Sequence, residues 1–180
     1  MKTLKTDRLI LRDWKMSDLD DMFEYASVPG VGEMAGWPHH TDKEVSKTII
    51  QNFIDKDDVY AIVLKDNKKV IGSLGIHDRT LDPNFKAQTQ RMIGFALSKE
   101  YWGQGLVPEA TQAAIKYAFE KLRVDVLWCA HFVENLQSRR VIEKCGFVFY
   151  GKGVYEAELL GKSFDELKYI MTKNDYKALK

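Results

Sequence analysis

Leu9 and Leu11 fall on one side of "TLKTDRLILRDW", and Arg8, Ile10 and Arg12 fall on the other. That alternation is the period of a strand. The pattern then turns helical over Leu19 to Ala26. Ser17 and Asp20, three apart, are spaced as a capping box in front of it. The Gly- and Pro-rich stretch "SVPGVGEMAGWPHH" reads as a loop. Thr41 and Glu44 make a second box-like pair. The helix behind them carries Val45, Ile49, Phe53 and Ile50, Ile54 at helical spacing. "VYAIVLKDNKKVIGSLGIH" reads as two strands around a tight turn at Asp66-Asn67, and "RMIGFALS" as another strand. An Ala-rich helix follows, then a strand in "VDVLWCAHF" and a helix in "NLQSRRVIEKC" that stops at Gly146. Two strands turning around Gly161-Lys162 close the chain. The order β-α-α-β-β-β-α-β-α-β-β predicts one α/β domain over residues 1–180. Its core is a mixed, twisted sheet of about seven strands, flanked by about four helices.

Composition narrows the function classes. The 180 residues suffice for one well-buried core. Lys+Arg is 27 and Asp+Glu is 26, a net charge of +1 that offers nucleic acid or an anionic membrane no electrostatic handle. No apolar run is long enough to span a bilayer, and "MKTLKTDRLILRDW" lacks a signal-peptide layout. Cys129 and Cys145 sit among apolar neighbours and read as buried reduced thiols, so the expected location is cytoplasmic. The four histidines are too scattered to argue a metal site.

Candidate chemistry concentrates at two helix starts. In "YWGQGLVPEA", Gly103 and Gly105 precede the Ala-rich helix, and Pro108 suits its first turn. No Lys-Ser or Lys-Thr pair follows, so this is not a P-loop; the third glycine of a dinucleotide fingerprint is replaced by Pro108. An anion nest backed by the helix dipole remains, beside the plainer alternative of a tight strand-to-helix turn. Ala110, Ala113, Ala114, Ala118 and Leu122 form a stripe that would lie against the sheet, which leaves Glu109 on the solvated face. At the second start Asn135 is a natural N-cap. Ser138 heads a face continued by Val141, Ile142 and Cys145, either as a functional hydroxyl or as one bonded back into its own turn.

Taken together, three segments resemble the GNAT superfamily of acetyl-CoA-dependent N-acetyltransferases, and within it the ribosomal-protein N-terminal (RimJ/RimL-like) branch. They are "TDRLILRDWKMSDLDD", "FALSKEYWGQGLVPEA" and "NLQSRRVIEKCGF". The resemblance covers nearly the whole chain. It departs at Val107, where the superfamily loop usually has Gly or Ala, and at Ile142, where many members have a tyrosine acid.

The resemblance implies acetyl-CoA as cosubstrate and direct attack by a primary amine. Main-chain groups of Phe95, Ala96 and Leu97 would hold the pantetheine arm and polarise the carbonyl. Amides of Trp102, Gly103, Gln104, Gly105, Leu106 and Val107 would take the pyrophosphate. Asn135 would bond the arm, and Ser138 would protonate the leaving sulfur. No metal is required. His39, in the loop that lines the acceptor side in this branch, is the candidate base. An α-amine of pKa about 7.8 is roughly 14% neutral at pH 7, and a lysine of about 10.4 only about 0.04%, so an α-amine acceptor needs the weaker base. The expected acceptor is a protein or peptide N-terminus. The alternatives are a small amine such as an antibiotic or polyamine, or a non-catalytic acetyl-CoA-binding sensor. A homodimer is the default assembly.

Overall fold

The computed structural model describes residues 1–179. Eight strands form one sheet: β1 (Leu4–Lys5), β2 (Leu9–Arg12), β3 (Val59–Leu64), β4 (Val70–His77), β5 (Gln90–Leu97), β6 (Val126–Phe132), β7 (Val148–Ala157) and β8 (Lys162–Thr172). Their order is β1-β2-β3-β4-β5-β6-β8-β7. Every pairing is antiparallel except β5 with β6. The helices are α1 (Leu19–Ala26), α2 (Lys43–Lys56), α3 (Leu106–Tyr117), α4 (Leu136–Lys144) and α5 (Lys173–Ala178). The mixed α/β class is as expected. The counts exceed the expectation because β1 is only two residues long and α5 only six, too short to leave a period in the sequence.

Neither expected capping pair forms in the first third: Asp18 takes the N-cap position of α1 without a side-chain cap, and α2 is capped one residue past Thr41. Asp18 precedes α1, accepts the Lys15 N–H at 2.9 Å, and holds both terminal nitrogens of Arg12, at 2.7 and 2.8 Å. It is buried, so the paired guanidinium is what makes its charge tolerable there. At α2, Asp42 rather than Thr41 accepts from the Val45 N–H, at 3.0 Å.

The sheet is covered on both faces, which is why β3 is an unbroken apolar run. Val59, Ala61 and Val63 pack with Trp14, Met22 and Ile50 under α1 and α2. Tyr60 and Ile62 pack with Leu9, Leu11, Ile71 and Ile93 against α3. On α2 Ser46 and Ile50 are fully buried, while Val45 and Ile54 are exposed. On α3 the seating stripe is Ala110, Ala114 and Ala118, all at 0% exposure; Leu122 lies outside it. Ala118–Leu122 is a π-helical turn, closed by Arg123 in the left-handed region.

Candidate active site

The parallel pair opens into a cleft. β5 and β6 are paired only from Gln90 to Met92 against Val126 to Trp128. Just beyond, the Cys129 thiol donates to the Ile93 carbonyl at 3.2 Å. After that the strands part. Ser98 N–H donates to Ile71 O at 2.8 Å, which fixes the antiparallel alternation with β4. By that alternation the main-chain groups of Phe95 and Leu97 turn away from β4, toward the opening. The Leu97 carbonyl is already used by the Trp102 indole N–H, at 2.8 Å. Phe95 therefore presents the free main-chain edge.

A cleft of about 430 Å³ occupies the gap. It is bordered by Phe95, Ala96 and Leu97 on β5, by Trp102, Gly103, Gly105, Leu106 and Val107 at the start of α3, and by Asn135 and Ser138 at the start of α4. Gln104 is not on its wall. The Gln104 side chain donates to Glu100 O and its carbonyl receives Arg8 Nη1. The Gln104 main-chain N–H still belongs to the loop's run of donors. Among the described residues the N–H groups of residues 103–107 reach no protein acceptor, whereas that of Trp102 is spent on Lys99 O at 3.2 Å. Gly103 and Gly105 both sit in the left-handed region, at φ +76° and +74°. A Cβ on Gly103 would meet nothing within 4 Å, and one on Gly105 only Arg8 Nη2 at 3.7 Å. Unspent donors beneath open space are what a pyrophosphate needs, so the loop fits the group the resemblance implies.

The N-terminal segment braces this loop. Glu109 is not a solvated residue as expected. It accepts from Thr6 Oγ1 at 2.5 Å, from Arg8 N–H at 2.8 Å and from Arg8 Nε at 2.7 Å. Partial burial pushes its pKa up. The bonds from Thr6 and Arg8 outweigh that and hold it below the usual glutamate range.

On α4 the Asn135 carbonyl oxygen caps the helix by accepting Ser138 N–H at 3.0 Å, while its amide donates to Met34 O at 3.1 Å. Ser138 Oγ has no protein partner and borders the cleft. Ile142 is 1% exposed within the core, and Val141 is the neighbour that reaches the cleft. Arg140 and Lys144 also border it, two cations that sequence reasoning missed. Their signal was present: residues 137, 140, 141 and 144 share one helical face.

A second, smaller cavity of about 100 Å³ adjoins the cleft at Phe95 and Ser138. Met34, Met92, Phe132 and Tyr155 give it apolar and aromatic walls, and Cys129, His131, Tyr155 and Glu166 are its ionisable members. His39 borders neither cavity. Its Nδ1 lies 2.7 Å from Glu33 Oε1. Glu33 also accepts the N–H of Gly30 at 2.6 Å and of His39 at 3.2 Å. Partial burial raises the Glu33 pKa, but these bonds prevail and bring it down to about 2. The pair ties the loop into shape.

The site is a mixed sheet parted after its parallel pair, with a run of bare amides along the larger cleft and a smaller cavity adjoining it. Residues 8–148 match the family model described as "Acetyltransferase (GNAT) domain". The chain belongs to this family of N-acetyltransferases, which use acetyl-CoA as the acetyl donor. It is 27% identical to "Uncharacterized N-acetyltransferase p20" of Bacillus licheniformis, over 98% of this chain and 99% of that one. Among solved structures, a GNAT-family acetyltransferase from Bacillus anthracis superposes with a TM-score of 0.84 at 21% identity, covering 96% of this chain and 99% of that one. The ribosomal-protein-S5-alanine acetyltransferase of Vibrio fischeri superposes at 0.74 with 19% identity, covering 98% and 99%. Among the described residues no helix is long and apolar enough to cross a membrane, and no cluster of side chains could hold a metal ion.

Proposed function

We propose that the acceptor is an α-amine at a peptide or protein N-terminus, acetylated by direct attack. The observation that carries this reading is the meeting of the two cavities at Phe95 and Ser138. One cavity has bare amides and two cations for a phosphorylated donor. The other has room for one small group. An aminoglycoside or polyamine presents several cations, and a cavity with a single carboxylate offers them too few partners.

In this reading the amides of residues 103–107 hold the pyrophosphate, and Arg140 and Lys144 add positive charge along the same wall. The Phe95 main chain aligns the pantetheine arm as a strand neighbour. Its N–H meets the carbonyl oxygen where negative charge develops. Ser138 Oγ, free of protein partners, donates to the departing sulfur. Asn135 contributes by fixing the helix start that carries Ser138. Acetyl transfer from the thioester to the amine is the chemistry the donor supplies.

The test is a pair of matched peptides, one with a free N-terminus and no lysine, the other with a blocked N-terminus and one lysine. Thiol release and mass spectrometry should show acetylation of the first at least about tenfold faster, in line with the fraction of neutral amine. Acetylation confined to lysine, or a clear preference for an aminoglycoside, would overturn the reading.

A further inference from the structure

The smaller cavity is lined by a carboxylate that the fold holds by a single long ion pair. Glu166 on β8 is 6% exposed. It stands opposite Phe132 of β6 and Gly153 of β7. Among the described residues no group donates a hydrogen bond to it, and its nearest cation is Lys168 Nζ at 3.6 Å. That lysine is itself held by the Leu81 carbonyl at 3.1 Å. The absence of a side chain at Gly153 is what leaves space here: a Cβ there would come within 3.1 Å of Glu166 Oε1 and within 2.4 Å of Lys168 Cε. One long ion pair leaves carboxylate lone pairs open toward the cavity, where an arriving donor can bond to them.

The other ionisable groups around the cavity are Cys129 and His131 from β6 and Tyr155 from β7; burial pushes the Cys129 thiol up, and it already donates to Ile93 O. His131 is fully engaged, with Nδ1 2.7 Å from Phe132 O and Nε2 3.1 Å from Tyr169 OH. Glu166 is therefore the cavity's acceptor with capacity to spare.

We propose that Glu166 receives the acceptor's ammonium group and takes its first proton, and that this cavity admits a first residue with an uncharged side chain while rejecting an acidic one. The proposal rests on the N-terminal acetylation reading above. The balance closes. The ammonium loses one proton to the Glu166 carboxylate, and the amine then bonds to the acetyl carbon. Collapse breaks the carbon–sulfur bond, and the nitrogen's second proton is matched by the one that ends on sulfur. Glu166 returns its proton to solvent. Met34, Met92 and Phe132 give an uncharged side chain apolar surface, and a carboxylate among them would face Glu166 at close range.

The experiment compares wild type with Glu166→Gln and Glu166→Asp, using peptides that begin with Ala or Asp, from pH 6 to 9. For the Ala peptide at pH 7, Glu166→Gln should lower kcat/KM by about 100-fold, the low end for a general base because the amine is already partly neutral. The gap should close as pH rises past the amine's own pKa. Glu166→Asp should recover part of the rate. Wild type should prefer Ala over Asp by at least about tenfold, and Glu166→Gln should narrow that preference. Calorimetric Kd values for acetyl-CoA, unchanged across the three proteins, report an intact fold. An active wild type with a Glu166→Gln variant that matches it in rate and pH profile overturns the role of Glu166 and leaves N-terminal acetylation standing. A wild type that binds acetyl-CoA but acetylates no peptide N-terminus overturns both.

Discussion

The two sides of the reaction centre are built from different material. The larger cleft, the donor side in the proposed reading, is mostly main chain: five consecutive N–H groups, two left-handed glycines and the free edge of β5, with Ser138, Arg140 and Lys144 added from α4. The acceptor cavity is made of side chains drawn from the loop after α1, from β5, β6, β7 and β8. Main-chain donors are fixed by turn geometry, so they tolerate any side chain that permits the turn. A side-chain cavity can be re-cut by single substitutions. One fold can thereby keep its donor while its acceptor changes, and four substitutions would separate the two kinds of construction.

Gly105→Val carries the largest expected effect. A β-branched residue at φ +74° is strained and puts carbon over the cradle. CoA should bind at least about 100-fold more weakly, while pantetheine, lacking the pyrophosphate, should bind almost as before. Calorimetry with both ligands decides it, and equal losses would mean the loop holds no phosphate.

Ser138→Ala comes next. The thiol's pKa near 8.5 makes thiolate a tolerable leaving group, so kcat should fall about 10- to 100-fold with Kd for acetyl-CoA unchanged. Because Asn135 supplies the cap, the melting temperature should stay within error. A lowered melting temperature with unaltered kcat would return Ser138 to a structural role.

Asn135→Ala should show the converse pattern. It removes the cap and the tie to Met34 O, and a stability loss of about 0.5–2 kcal/mol is expected in denaturant titration. The tie reaches the acceptor wall, so KM for the amine should rise while Kd for acetyl-CoA changes little.

Glu109→Gln is the mildest. The pKa of Glu109 is depressed in the folded state, so its contribution is present above the unfolded value of about 4.3 and is lost as pH falls through the lower folded value. The variant should lack that part of the acid dependence. Its CoA affinity should drop only a few-fold, because Arg8 keeps its bond to Gln104 O.

The donor side was the more legible because main-chain sites announce themselves through glycine, proline and helix-start spacing. The turn from Trp102 to Val107 could be read that way, with Gln104 turned aside and Trp102 spent on its own turn, whereas Phe95 to Leu97 entered only through the family resemblance. The helix caps were less legible. Thr41 and Asp42 compete as adjacent oxygen-bearing residues and backbone direction decides between them, while at α1 the Asp18 carboxylate is taken by Arg12 and the Lys15 N–H and caps nothing. Glu109 looked solvated because nothing local shows that Thr6 and Arg8, a hundred residues earlier, come to meet it. Glu166 was invisible for the same reason: in "FDELKYIM" it alternates with Leu167 and reads as a strand's outward face. Only the arrival of β7 and the loop bearing Met34 covers it.

The Cys129–Ile93 contact marks where the sheet stops being self-sufficient. Beyond it Phe95 has main-chain groups with no neighbouring strand, so the protein alone is a ladder short of rungs. A donor lying in the gap would supply them and add to folding stability by linkage. At a ligand concentration 100 times Kd the gain is about 2.7 kcal/mol, which for a chain of this size raises Tm by roughly 5–11 °C. Acetyl-CoA supply would then set how long the unoccupied protein survives proteolysis as well as how fast it turns over.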